Sequence, residues 1–295
     1  MTANEKMKNW ESHMNAAQAA LDSGNDIDAE AELTAAVKAA EEAAPDSPQM
    51  GMSLNSLAAL YDAYGEYEAA LPLYTRALEI MEGAYGSESP EVASLLNGIA
   101  ELYRATERVE EAIPLFERAI EIQEKALGMD NPDLAATINN LAIVYHDGSN
   151  YEKAENLYRR ALDIMTKTSN EARPEHADVL INLAGMLDDK GRYDEAIDAY
   201  KRALQLQEKS LEADHPYIAT TLGRMASIFQ AQGNNADAIR LIDRALEIRE
   251  SRLGADHPEL IPTLLNFAKV LRNAGEDGRA AEMDARADGI HAAIS

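Results

Sequence analysis

The sequence predicts an all-α solenoid of antiparallel helix pairs, and three observations carry that prediction. Six prolines, Pro48, Pro90, Pro132, Pro174, Pro216 and Pro258, stand 42 residues apart. Behind each runs the same apolar stripe at i, i+3, i+4 and i+7, one face of an α-helix, always with a small residue inside it: Ala58, Ala100, Ala142, Ala184, Ala226 and Ala268. A break with Gly65, Gly191, Gly233 and Gly275 in matching places then leads to a second stripe. A hairpin of this kind cannot bury its apolar faces alone, so neighbours must stack into a continuous core.

In chain order, residues 1–47 read as a degenerate hairpin that caps the stack, with Trp10, Met14, Ala17 and Leu21 on one helix and Ala29, Leu33, Ala36 and Val37 on the next. Five units follow: 48–89, 90–131, 132–173, 174–215 and 216–257. The first helix of each, helix A, carries core residues such as Leu54, Leu57, Ala58 and Tyr61. The second, helix B, carries residues such as Tyr67, Ala70, Tyr74, Ala77 and Leu78. Pro72 and Pro114 lie early in helix B, where a missing amide costs less than it would mid-helix. The sixth unit, 258–295, puts Asp277, Asp284 and Asp288 where earlier repeats have core side chains, as the polar last helix of a solenoid requires.

Composition narrows the function. Aromatics are 5% of the 295 residues, so the core is built from Ala, Leu, Ile and Met, which suits closely packed helices. The 52 acidic residues against 27 basic ones leave a net charge of −25, with no Lys/Arg-rich run. Such a surface repels phosphate backbones and anionic membranes and attracts basic segments, so neither nucleic acid nor membrane is expected as a partner. The absence of cysteine excludes disulfides, thiolate metal sites and cysteine nucleophiles. The start, MTANEKMKNW, has no signal-peptide core, and no run of about 18 apolar residues occurs, so a cytoplasmic monomer is expected.

The alternation of small and aromatic residues in LAALYDAYGEYEAALPLYTRALEI (Leu57 to Ile80) resembles the tetratricopeptide repeat. With connectors LGMDNPDL, LEADHPYI and LGADHPEL, the 42-residue spacing is similar to the kinesin-light-chain subtype. The resemblance covers residues 48 to about 290 and implies a right-handed superhelix whose helices A line a concave groove for an extended peptide or a partner helix. It also implies a role for groove asparagines, which bond cargo backbones in that family.

Seven residues after each proline stand Asn55, Asn97 and Asn139, then Ile181, Gly223 and Leu265. Eight after, on a line expected nearly opposite the core, stand Ser56, Gly98, Asn140, Asn182, Arg224 and Asn266. An amide offers a donor and an acceptor together, so a ladder of Asn suits an extended backbone; the competing reading is simple solvation or bonding to the next helix. Fourteen after come Asp62, Arg104, His146, Asp188, Gln230 and Arg272, and eleven after include Glu101 and Lys269. Arg224, Lys269 and Arg272 are expected to face an acidic side chain or carboxylate of the partner, or else to pair with nearby acids. Asp178 and Asp188 are expected to face a basic group. The lysines with which one subclass of the resembling family clamps chaperone tails are missing, since the corresponding pairs read Asn55/Ala59, Asn97/Glu101 and Asp178/Asn182.

Arg76, Arg118, Arg160, Arg202, Arg244 and Arg286 also recur every 42 residues, on helix B and away from the groove, which points to pairing between units. His215 and His257 share one connector slot, so the Asp-His-Pro run belongs to the repeat and not to a metal site. No HExxH, phosphate-binding glycine loop or GxSxG elbow occurs, so neither catalysis nor a cofactor is expected. The sequence therefore predicts a protein-binding scaffold. Its alternatives are a solenoid that switches an output protein on binding a ligand or peptide, and an architectural repeat that self-assembles.

Overall fold

The computed structural model describes residues 3–168 and 174–294. Among these residues the regular structure is helical throughout, with no strand: α1 (Ala3–Asp22), α2 (Asp26–Ala43), α3 (Pro48–Ala63), α4 (Tyr67–Tyr85), α5 (Pro90–Ala105), α6 (Val109–Leu127), α7 (Pro132–Asp147), α8 (Tyr151–Thr168), α9 (Pro174–Asp189), α10 (Tyr193–Ser210), α11 (Pro216–Ala231), α12 (Asn235–Leu253), α13 (Ile261–Asn273) and α14 (Asp277–Ile294). The helices form two compact bodies, Met1–Ile164 and Met165–Ser295. In the first, α1/α2, α3/α4 and α5/α6 pack as hairpins, and α2, α4 and α6 also pack on the following helix A. The second repeats this with α9/α10, α11/α12 and α13/α14.

The helix starts follow from the residue before each proline. Ser47 and Ser89 hydroxyls accept from the amides of Met50 and Val92 at 3.3 Å, the Asn131 side chain accepts from Asp133 N at 2.8 Å, and the Nδ1 atoms of His215 and His257 accept from the amides of Tyr217 and Glu259 at 3.2 and 3.3 Å. These side chains satisfy amides that a first helical turn leaves open, and proline at the next position has no amide to satisfy. The repeated histidines are caps, and no metal-binding group of His, Cys, Asp and Glu occurs among the described residues. The equivalent residue before Pro174 and the end of the unit 132–173 lie outside the described residues. The last helix A starts differently: Pro258–Leu260 is a single 3-10 turn in which the Ile261 amide bonds the Pro258 carbonyl. Pro262 lacks the amide that would have made the α-helical bond to that carbonyl.

The alanine of each helix A is fully buried, at 0% exposure in all six cases, so backbones meet there. The N-terminal hairpin docks through Trp10, whose indole Nε1 donates to the buried Ser53 hydroxyl at 2.7 Å while Ser53 donates to Gln49 O at 2.9 Å. The stripe position thirteen after the proline departs from a plain core. Leu187 and Leu271 are buried there, but Tyr61, Tyr103 and Phe229 are only half-buried. The tyrosines reach outward, Tyr61 OH donating to Glu30 at 3.0 Å and Tyr145 OH to Glu117 at 3.3 Å, with the Arg108 guanidinium 4.2 Å from the Tyr103 ring centre.

The helix B arginines hold neighbouring hairpins together as expected. Arg118 pairs with Glu82 and Arg244 with Glu208 at 2.6 Å, and Arg160 with Glu124 and Arg286 with Glu250 in the same way. Arg76 reaches Glu41 at 3.5 Å. Arg202 is the exception, having no ion pair among the described residues, because Thr166 stands where the other units have the glutamate.

The turn from helix A to helix B needs a left-handed residue. Gly65, Gly191, Gly233 and Gly275 adopt φ of 74°, 70°, 75° and 78°, and the two units without glycine place Glu107 and Ser149 at φ 60°. A Cβ is strained there. Glu107→Gly and Ser149→Gly are each expected to stabilise the protein by about 0.5–1 kcal/mol, seen as a higher urea midpoint at unchanged slope.

Candidate functional site

The exposed line of each helix A runs through the positions four and fifteen after the proline, as with Ala136 and Asp147 on α7, while the position eleven after is half-buried at Glu101, Ile143 and Gly185. The position eight after, expected nearly opposite the core, is instead half-covered: Ser56, Gly98, Asn140, Asn182 and Asn266 are all half-buried. At Gly98 the cause is the preceding helix B. The Tyr74 ring of α4 comes within 3.1–3.3 Å of where a Gly98 side chain on α5 would begin. The position seven after is half-buried too at Asn55, Asn97 and Asn139.

In the first body these positions converge with charge. On α5, Asn97 and Glu101 are one turn apart, and Asn97 Oδ1 and Glu101 Oε1 are both buried without a hydrogen-bond partner. The other Glu101 oxygen accepts from Arg104 Nε at 3.1 Å, and Arg104 reaches Asp147 of α7 at 3.7 Å. Asp62 of α3 lies close enough to feel the Arg104 charge. Burial pushes the Glu101 and Asp62 carboxyls above the usual range, against the pull of Arg104 on both. Beneath them, burial and then Asp62 push the Tyr74 hydroxyl up to about 12. The Tyr158 hydroxyl of α8 is pushed up by burial and by Asp147, and it too is buried without a partner. His146 is half-buried with its ring 5.9 Å from that of Tyr151. Three carboxylates therefore surround one guanidinium, and unpartnered polar atoms face the same place. Such a site accepts donors and positive charge.

The second body holds the remaining expected residues. Asp178 is exposed, its carboxyl raised by burial and then by Glu175. Asp188 and Gln230 are half-buried, and the Asp188 carboxyl is raised by burial and Asp189 while Arg224 opposes. The three expected cations stand in different surroundings. Arg272 is bound by Asp284 of α14, one of the polar residues of the last helix, and Lys269 is simply exposed. Arg224 instead lines a cavity between α11, α12 and α13 together with Arg249 and Asn266.

The repeat seen in these hairpins is matched by the family model described as "Tetratricopeptide repeat", over residues 11–83, 91–167, 175–234 and 217–287. The chain belongs to the tetratricopeptide repeat family. Solved structures agree on the fold. A kinesin-light-chain protein of Podosopora anserina with nearly identical TPR-like repeats is 25% identical, with a TM-score of 0.60 over 70% of this chain and 97% of that one. BtubC (BKLC) from P. vanneervenii is 20% identical, with a TM-score of 0.65 over 84% and 92% of the two chains. A STAND signal-transduction ATPase of Pyrococcus horikoshii with a tetratricopeptide repeat sensor is 18% identical, with a TM-score of 0.75 over 97% of this chain and 42% of that one. No curated protein sequence matches. No helix among the described residues is long and apolar enough to cross a membrane.

Within this tetratricopeptide framework, the sequence singles out Asn97, Glu101 and Arg104 as candidates, and the structure sets Asp147 and Tyr158 near Arg104 and Arg249 at the cavity of Arg224, residues that the sequence did not single out. Tyr158 carried a signal, since its column otherwise reads as core and a hydroxyl there asks for a partner. Arg249 carried none within its own helix B stripe, which by itself does not show which side chains cross to the next helix A.

Proposed function

We propose that this protein is a non-catalytic interaction scaffold, and that its first body takes an extended, donor-rich segment of a partner protein along α3, α5 and α7. The pair Asn97 Oδ1 and Glu101 Oε1 carries this reading. A buried acceptor without a donor costs about 1–3 kcal/mol, a cost that a bound donor removes. Four helical residues advance about 6 Å. That is close to the roughly 6.7 Å between alternate residues of an extended chain, whose amides on one edge share a direction. Asp62, Glu101 and Asp147 around Arg104 favour a basic side chain next to those amides. Asp178 and Asp188 offer a like acidic stretch in the second body. The units 48–89, 90–131, 132–173, 174–215 and 216–257, with 1–47 and 258–295 as caps, are the frame of this scaffold.

The test titrates the full chain with the blocked peptide Ala-Arg-Ala-Arg-Ala and its glutamate counterpart. Asn97→Ala combined with Glu101→Gln is expected to weaken the arginine peptide by about tenfold or more at unchanged helicity. Equal binding of the two peptides, or by the variant, sinks the reading. The pH sign is fixed as well. A cation favours ionised Glu101, whose carboxyl burial holds high, so binding strengthens as pH rises through that carboxyl's titration. The same raised carboxyl favours the protonated folded state, so its ionisation costs stability as pH rises. Glu101→Gln alone is expected to melt higher than the parent at neutral pH and together with it at acid pH, losing binding while gaining stability.

A further inference from the structure

One helix B column breaks its own rule in the second body. Twenty-six residues after each proline stand Tyr74, Phe116, Tyr158 and Tyr200, all buried, and then Ile242. In the first body the ring of that column fills the space beneath the next helix A, as Tyr74 does against Gly98. Ile242 is too short to do so, and a cavity of about 340 Å³ opens between α11, α12 and α13. Gly223 adds room on one wall, where an added side chain would meet nothing within 4 Å.

Two guanidiniums line this cavity, Arg224 of α11 and Arg249 of α12. Arg249 donates to the Thr263 hydroxyl of α13, which holds it at the wall. Neither has an ion pair among the described residues, whereas nearly every other described arginine has one, Arg202 being the remaining exception. Asp188 is near enough to feel the Arg224 charge but makes no ion pair with it, and two guanidiniums lining one cavity in a chain with 52 acidic and 27 basic residues repel each other. An anion between them removes that repulsion. Ala219, Ile242, Ala245 and Pro262 give the cavity apolar lining, beside the polar Thr220, Ser227, Thr263 and Asn266.

We propose that this cavity is a binding site for a carboxylate carried on a short apolar stem, supplied either by a small free carboxylic acid or by an acidic side chain of a peptide. The guanidinium fork matches a carboxylate in two parallel bonds, and the stem covers the Ile242 floor. The site is independent of the one proposed at Asn97 and Glu101.

The full chain is titrated by NMR with glutarate, with the blocked peptide Ala-Glu-Ala and with inorganic phosphate. Glutarate or the peptide is expected to shift the amides of Gly223, Arg224 and Thr263, and whichever binds more tightly identifies the source. Phosphate, with no stem, is expected to bind more weakly. Arg224→Gln, at an exposed position, is expected to weaken binding by about tenfold or more, and higher salt to weaken it further. Ile242→Tyr restores the ring of the column and is expected to abolish binding with both arginines intact and helicity unchanged. No binding of either carboxylate up to about 10 mM, phosphate binding as tightly as they do, or undiminished binding by either variant overturns the proposal.

Discussion

Replacing Phe116 with alanine is expected to destabilise the first body by about 3–5 kcal/mol. Its ring is 0% exposed on α6 and belongs to the column that fills the space between one hairpin and the next. In a stack where each hairpin touches only its neighbours, loss of that filling weakens a hairpin and an interface together. Trp10, the single tryptophan, lies in this body, so its fluorescence during urea unfolding reports the loss directly. Phe116→Ile makes the comparison sharper. It copies the residue that stands at 242 and is expected to cost only about 1–2 kcal/mol, because the branched side chain keeps part of the contact and leaves a void like the one beneath α13. A loss below about 1 kcal/mol for the alanine variant would show that the column does not bear the interface.

The fold was legible because one period repeats six times. Each proline, the capping residue before it, the central alanine and the left-handed turn residue are local requirements, and the chain meets them at fixed intervals. Even the departures have local causes: Pro262 converts the last helix start into a 3-10 turn, and Glu107 and Ser149 hold the glycine conformation without being glycine. The candidate site was legible only in part. Counting 100° per residue from the core stripe placed Asn140 and Asn182 opposite the core, because the count treats helix A as touching one neighbour. In the first body α5 touches two, its own α6 and the preceding α4, whose Tyr74 ring closes over the equivalent position at Gly98. Arg224, Lys269 and Arg272 all stand on helices A, eight, eleven and fourteen after the proline, but the second arginine lining the cavity of Arg224 is Arg249, on helix B.

That crossing also leaves a trace in pairs of columns, and it carries the second large effect. The position 33 after a proline reads Met81, Gln123, Met165, Gln207 and Arg249, and the position five after the next proline reads Leu95, Thr137, Val179, Thr221 and Thr263. Methionine is followed by an aliphatic residue, and a polar side chain by threonine. The buried Thr221 hydroxyl donates to Gln207 Oε1 at 2.9 Å, and Arg249 donates to Thr263. Thr221→Val alone is expected to cost about 1–3 kcal/mol, because the Gln207 oxygen, 2% exposed as a residue, loses its donor. Gln207→Met alone is expected to cost less, since a threonine hydroxyl on a helix can turn to the carbonyl four residues back, as Ser53 does. The double variant Gln207→Met with Thr221→Val rebuilds the apolar pairing of Met81 with Leu95 and is expected to recover most of the loss, with a coupling of about 1 kcal/mol in a double-mutant cycle. The Gln123–Thr137 pair gives the contrast. Gln123 Oε1 is already buried without a partner, and Thr137 makes only a 3.4 Å bond to Asp133 O. The same double exchange there is expected to raise stability above the parent. Additive losses at both pairs would mean that the hairpins are matched by size alone. Coupling at Gln207 with a gain at Gln123 would mean that buried polarity is matched across each junction, so that each hairpin accepts only a like neighbour.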